Sequence, residues 1–343
     1  PMPTRIGSNN PSQFWNGDLD DVAIYNRALS DSEIHQLMGP PSVGSLEMWF
    51  DANDVNGDGV KDALADGSAV SSWVDKAPSN NGTNTASQAT AARRPVVRSN
   101  VQNGLPVVRF DGADDLLTGT AEVNGSEQIT IIAVTKDINT ANDGVGNAFG
   151  SVIHWTEFAN KYGQVYLESY NTANPSSKHR VHGRIGKGGT PPTGQPPWQF
   201  GDDVSPPVQK FGISMVTRNQ NTVKTYFDGL SRVTQNGYGT STKIVGTKDD
   251  FALGYGSGQT FNPPDSLSGF NGDIAEILVY SKELNATERT RVHDYLASKW
   301  GINLPSGLAA GWAGQGKISR YVNGVKFDDI PLKTPAGIAS VEE

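Results

Sequence analysis

The sequence predicts an all-β protein, an antiparallel β-sandwich finished by a short closing helix. Three observations point there. Glycine (39) and proline (20) are plentiful among 343 residues, a mix that suits many strands joined by tight loops rather than a helical bundle. Short runs of strand-like pattern recur between turn clusters. One turn–strand–helix unit occurs twice.

The repeat carries the most information. Residues 14–31 read FWNGDLDDVAIYNRALSD and residues 269–286 read GFNGDIAEILVYSKELNA. Aligning Asn16-Gly17-Asp18 with Asn271-Gly272-Asp273 brings Tyr25 onto Tyr280 and Leu29 onto Leu284, all at an offset of 255. In each copy Asn-Gly-Asp reads as a turn, because glycine reaches backbone conformations that other residues resist. Leu19, Val22 and Ile24, and their counterparts Ile274, Ile277 and Val279, then form an apolar strand ending in Tyr. Ser30-x-x-Glu33 opens a helix as a capping box, with Ile34 and Leu37 on its apolar face. In the second copy the helix opens at Asn285 or Thr287 and runs through Val292, Tyr295, Leu296 and Trp300.

Between the copies, strands are expected near 129–136, 164–170, 178–184, 211–217, 222–228 and 251–254, with turns at Asp228-Gly229 and Asn236-Gly237. This spacing argues for a sandwich with Greek-key connections. The Gly/Pro-rich stretch 187–208 around Trp198 reads as an ordered surface loop outside the sheets.

Residues 14–34 closely follow the pattern F-N-G-x-I-D-D-V-x-I-Y-N-R-A-L-S-x-x-E-I, and the chain resembles laminin-G-like domains, whose C-terminal signature this is. The second copy keeps the frame but has Ala275-Glu276 where the family usually has two acids. LEMWFDANDVNGDG (46–59), VSSWVDKAPSNNGTNTASQ (70–88) and NGLPVVRFDGADDLL (103–117) look like the family's opening segments. The resemblance implies a concanavalin A-like jelly roll. It divides the chain into 1–39 as the closing strand and helix of a preceding unit, a linker at 40–44, a complete unit at 45–304, and a 305–343 tail with one possible strand.

A net charge of −8 and a pI near 5.2 argue against general affinity for nucleic acid or anionic membranes. The absence of cysteine excludes disulfides, thiol catalysis and thiolate metal sites. No run approaches the roughly 18 apolar residues of a membrane span, so insertion is not expected. No signal peptide is read at Pro1. A soluble exported protein, extracellular or on a bacterial cell surface, is the expectation.

The strongest metal candidate is Asp54-x-Asn56-x-Asp58-Gly59, with the Val60 carbonyl and Asp62 completing a series of alternate oxygen ligands. This reproduces the first half of an EF-hand-type calcium loop, although Ala65 stands where the bidentate Glu normally closes it. Secondary acidic clusters are Asp111, Asp114 and Asp115, and Asp18, Asp20 and Asp21. The resemblance implies that such rim clusters hold calcium.

For a ligand, Tyr166, Glu168 and Tyr170 share one strand face, and Arg180, His182 and Arg184 share another. Paired as a hairpin they would form an aromatic, acidic and basic patch for a glycan. Trp155 and Trp198 stand in loop-like contexts as possible sugar-stacking platforms, whereas Trp49, Trp73 and Trp300 read as packing residues. No catalytic residues are assigned. Glu157, Glu168 and Glu276 stand isolated, without the paired acids at about 5–5.5 Å that retaining hydrolysis needs, and no G-x-S-x-G or H-E-x-x-H string occurs.

The expected function is therefore non-catalytic binding or adhesion with a calcium-stabilised loop, of a carbohydrate (a polysaccharide or cell-surface glycan) or of another partner. The alternative is a fibre or surface-layer subunit that binds copies of itself by strand exchange through residues 1–39 or the tail. A polysaccharide-active enzyme ranks third.

Overall fold

The computed structural model describes residues 45–77, 84–121, 128–138, 149–156, 165–170, 180–185, 200–202, 210–220, 222–235, 249–255 and 269–305. It also describes four strands nearer the termini and positions 6, 24, 26–28 and 39–41. Two terminal hairpins lie outside the main body. Near the N-terminus β1 (Ser8–Asn10) pairs antiparallel with β2 (Gln13–Phe14).

The body is built from β3 (Leu46–Asp51), β4 (Ser72–Trp73), β5 (Ala86–Ser87), β6 (Val96–Gln102), β7 (Leu105–Asp111), β8 (Leu117–Ala121), β9 (Gln128–Asp137) and β10 (Phe149–Thr156). It continues through β11 (Val165–Tyr170), β12 (Arg180–Ile185), β13 (Phe200–Asp202), β14 (Gly212–Asn219), β15 (Thr222–Phe227), β16 (Leu230–Gln235), β17 (Asp249–Leu253) and β18 (Asn271–Tyr280). One helix, α1 (Ala286–Trp300), closes it. The tail holds β19 (Lys317–Val322) and β20 (Val325–Pro331), paired with each other, so the single strand expected there is two.

The strands form two antiparallel sheets, ordered β13-β12-β11-β10-β17-β8-β5-β4 and β16-β15-β14-β9-β18-β7-β6, with β3 alongside β18. This is the expected all-β sandwich. Its core gathers Phe50, Trp73, Phe110, Ile131, Val216, Phe251, Ile277 and Trp300, all buried. The ring centroids of Phe50 and Phe251 lie 5.9 Å apart. Strand β18 is buried from Gly272 onward on both faces, which explains its near-continuous apolar run.

α1 opens as the sequence predicts. Asn285 Oδ1 accepts from the Glu288 N–H at 3.0 Å, and Glu288 Oε2 accepts from the Asn285 N–H at 2.9 Å. Gly301 ends the helix at φ 62°, the left-handed cap that glycine adopts freely. The first-copy capping box at Ser30 and Glu33 lies outside the described residues.

Three readings need correction. Asn271-Gly272-Asp273 is no turn but the first three residues of β18. Gly272 is needed there for closeness, since a Cβ would meet the Lys136 carbonyl oxygen at 2.5 Å and the Phe270 ring at 2.6 Å. Trp155 lies in β10, not in a loop, because FGSVIHWT is β-branched and aromatic enough to pair with both β11 and β17. Within 187–208, Phe200–Asp202 adds a short edge strand to β12 rather than staying outside the sheet.

Candidate functional site

The 54–62 loop is closed by its own side chains. Asp54 Oδ1 accepts from the Asp58 N–H at 3.1 Å and Oδ2 from the Gly59 N–H at 2.9 Å. Asn56 Oδ1 accepts from the Asp58 N–H and Asp58 Oδ1 from the Val60 N–H, at 2.9 and 2.8 Å. Asp62 Oδ2 reaches back to the Val55 N–H at 2.6 Å. The alternate spacing of oxygen-bearing residues thus produces a tight coil of side-chain-to-backbone turns. Gly57 and Gly59, at φ 72° and 84°, supply its left-handed bends.

An all-oxygen donor set suits a hard cation. However, the Lys76 ammonium already sits 2.8 Å from Asp54 Oδ2. Among the described residues, the trio of potential ligands within 4.8 Å of one another is Asp111, Asp114 and Asp115, not the three aspartates of this loop.

That trio sits where β7 passes to β8. Asp111 Oδ1 accepts from the N–H groups of Ala113, Asp114 and Asp115, at 2.8, 3.2 and 3.3 Å. Asp115 Oδ2 accepts from the Asp111 N–H at 3.0 Å. Burial, with the Asp111 and Asp114 charges adding to it, pushes the Asp115 carboxyl up to about 6.

Lys76 leads inward to a buried charge network. Its ammonium is 3.2 Å from Asp51 Oδ2 and lies over the Trp49 ring at 4.2 Å. Lys299 is 2.9 Å from both Asp51 Oδ2 and Glu276 Oε2. Glu276 also accepts from Trp49 Nε1, the Tyr295 hydroxyl and Trp300 Nε1, each at 2.7 Å. Burial pushes the Asp51 carboxyl up, but the Lys299 and Lys76 charges outweigh that and hold it below its usual value.

A second buried acid, Asp273, takes a two-point contact from Arg109 at 2.6 and 3.0 Å and Lys136 at 3.2 Å. By the offset of 255, Asp273 and Glu276 correspond to Asp18 and Asp21 of the first copy. In β18 these two acids tie the strand to β7, β9, β3 and α1. Asp18, Asp20 and Asp21 themselves lie outside the described residues.

The hairpin expected of the ligand patch is present. β11 and β12 pair with Tyr166 opposite Arg184, Glu168 opposite His182 and Tyr170 opposite Arg180, which places all six residues on one face. Trp155 does not join them. It is paired with Val165 and Phe251, and Phe251 packs on core Phe50, so its register position is on the opposite face. Trp198 lies outside the described residues. Sequence reasoning missed the Glu276–Lys299–Asp51–Lys76–Asp54 series, because its members come from four separate segments and no local pattern links them.

Comparison with known proteins adds one sequence match. Residues 2–35 fit the family described as the concanavalin A-like lectin/glucanases superfamily. That N-terminal stretch is similar to laminin-G-like sequences. A search of curated proteins found none similar to this chain.

Solved structures of similar layout include a heptameric SAP-like pentraxin from Limulus polyphemus, at 8% identity and TM-score 0.40, covering 56% of this chain and 80% of that one. Domain 4 of AbnA, a GH43 extracellular arabinanase from Geobacillus stearothermophilus, in complex with arabinotriose, gives 12%, 0.37, 73% and 98%. Trypanosoma rangeli sialidase gives 14%, 0.42, 78% and 37%. At these values the likenesses carry no functional argument. Among the described residues, no helix is long and apolar enough to cross a membrane.

Proposed function

We propose that this chain is a non-catalytic extracellular binding protein that takes a polysaccharide or cell-surface glycan on the sheet carrying β11 and β12, with calcium steadying the 54–62 loop. The observation that carries the reading is the register that sets Tyr166, Glu168 and Tyr170 opposite Arg184, His182 and Arg180. Strands lie about 4.8 Å apart and same-face residues about 7 Å apart along a strand, so these six positions cover roughly the footprint of one or two sugar rings. Tyrosine offers a stacking plane, and arginine a fork for carboxylate or sulfate.

The non-catalytic part of the reading is supported by how Glu276 and Asp273 are spent. Each is buried against cations and N–H or O–H donors, a state suited to holding structure rather than to exchanging protons with a substrate. Calcium is supported by the oxygen-only donor set of Asp54, Asn56, Asp58, Asp62 and the Val60 carbonyl, with the Asp111–Asp115 trio as the second place to look.

The test is a glycan array run with calcium and with chelator, repeated on a Tyr166→Ala/Arg184→Ala variant. Binding of a defined glycan class that weakens at least tenfold in the variant is expected, with a further loss on chelation. A blank array for the intact protein overturns the reading, as does reducing-end release from a polysaccharide panel.

A further inference from the structure

Arg218 is the penultimate residue of β14, and it is 1% exposed. Its Nε donates to the Gln220 carbonyl at 2.7 Å, but among the described residues both terminal nitrogens lack any hydrogen-bond partner. Burial lowers its affinity for the proton with no neighbouring carboxylate to offset it. A guanidinium cannot shed its charge in a protein. Enclosing one without a counter-charge is among the costliest arrangements in a folded chain.

The direction of the side chain follows from strand alternation. On β14 and its neighbours, Asn219, Lys224 and Tyr226 face the segment leading into and along α1, through Glu283 and Arg289. Arg218, flanked by Ile129 and Val223, therefore faces the other sheet, where β12 and β11 lie across from β14. On the same inner face of β15, Thr225 is fully buried and its hydroxyl has no partner either. It stands diagonal to Arg218, since Arg218 pairs with Val223 and Val216 with Thr225, a separation of about 7–8 Å that a long side chain spans.

We infer that Arg218 and Thr225 form an internal oxyanion site between the two sheets, near the end of the sandwich, for a carboxylate or sulfate group. The planar fork presents two terminal nitrogens to such a group and the hydroxyl adds another donor. The exposed turn residue Gln220, two positions along, places the guanidinium close to the rim. The site is separate from the six-residue patch, because Arg218 and Thr225 belong to β14 and β15 of one sheet and the patch to β11 and β12 of the other. Its occupant could come from two sources, a free inorganic oxyanion or the acid group of a sugar.

The test is thermal unfolding of the intact chain, at constant ionic strength balanced with chloride, in rising sodium sulfate, sodium D-glucuronate or neutral D-glucose. Wild type and Arg218→Met are compared throughout. The expected result is a rise in wild-type Tm of about 3 °C for each tenfold increase in oxyanion above its dissociation constant, no rise with glucose, and loss of the oxyanion response in Arg218→Met. Glucuronate acting at lower concentration than sulfate assigns the occupant to acidic sugars, and the reverse order assigns it to inorganic oxyanions.

Equal responses in wild type and Arg218→Met overturn the inference, because general salt effects act on both. A wild type indifferent to both anions also overturns it. Should Arg218→Met fail to fold, Arg218→Lys keeps the charge without the fork and is expected to weaken the response about tenfold. Calorimetric titration of wild type with sulfate should also give one site per chain.

Discussion

Lys299 and Glu276 meet at 2.9 Å inside the sandwich, joining the last turn of α1 to the middle of β18. Both are sealed from solvent, and Lys299 touches Asp51 of β3 at the same distance. Removing one partner from such a group leaves a buried charge uncompensated, which costs about 3–5 kcal/mol. Lys299→Met, close in volume, should therefore destabilise the protein by about that amount in chemical denaturation. Adding Asp51→Asn should recover part of the loss. A change under about 1 kcal/mol would mean that the network is hydrated and contributes little.

This network also marks where the sequence was legible and where it was not. Asn285 could be read as one of two candidate helix openings because the capping signal is local, its partner Glu288 lying only three positions on. Glu276 looked isolated because its partners Trp49, Tyr295, Lys299 and Trp300 are brought to it by β3 and α1, from both ends of the unit. Asn271-Gly272-Asp273 read as a turn on composition alone. In the fold Gly272 serves close strand approach and Asp273 anchors Arg109, a contact across 164 positions. The strands β9, β14 and β15 were legible because their runs are rich in β-branched and apolar residues, and β9 and β14 are buried on both faces at most positions. Trp155 was misplaced because the Gly-rich stretch before it was given more weight than the β-branched and aromatic run Val152–Trp155 that makes β10.

Gly272 gives a second prediction. A methyl group there would sit 2.5 Å from the Lys136 carbonyl oxygen, which is backbone and cannot swing away. Gly272→Ala should cost about 1–3 kcal/mol through overpacking between β18 and β9, despite alanine's better fit to regular structure. The same substitution at Gly59, where nothing lies within 4 Å of the added atom, meets only the left-handed backbone penalty of about 1 kcal/mol. Equilibrium unfolding of the two variants side by side checks the order. Equal losses would show that crowding at β18 is relieved by strand movement.

Asp115 should make the protein less stable as pH rises. Its folded-state value, about 6, lies above the ordinary 3.8, so the folded chain holds a proton that the unfolded chain has released. The stabilising contribution is complete below pH 3.8 and fades as pH climbs through 6. The span corresponds to about 2–3 kcal/mol. Asp115→Asn keeps an acceptor for the Asp111 N–H and should raise stability at pH 8 by about 1–3 kcal/mol, with little effect at pH 4. An unchanged pH 8 stability would indicate that the carboxylate is well hydrated in place.

His293 acts in the opposite sense over an overlapping window. It is buried on α1 with Nδ1 2.8 Å from the Arg289 carbonyl, and Nε2 has no partner. Burial drives its value down from 6.5 to about 4. Between those limits the unfolded chain takes up a proton that the folded chain refuses. Stability is therefore full above pH 6.5 and falls as the solution is acidified toward 4, by up to about 3 kcal/mol. Asp115 and Asp294, the latter also raised to about 6 by burial, gain stability over part of the same range. The net curve alone therefore cannot isolate the histidine, and the comparison must be between proteins. Subtracting the stability of His293→Phe from wild type at each pH should leave a difference that is flat above 6.5 and declines toward pH 4. A difference that stays level across that span would place a proton on His293 in the folded state and contradict its burial.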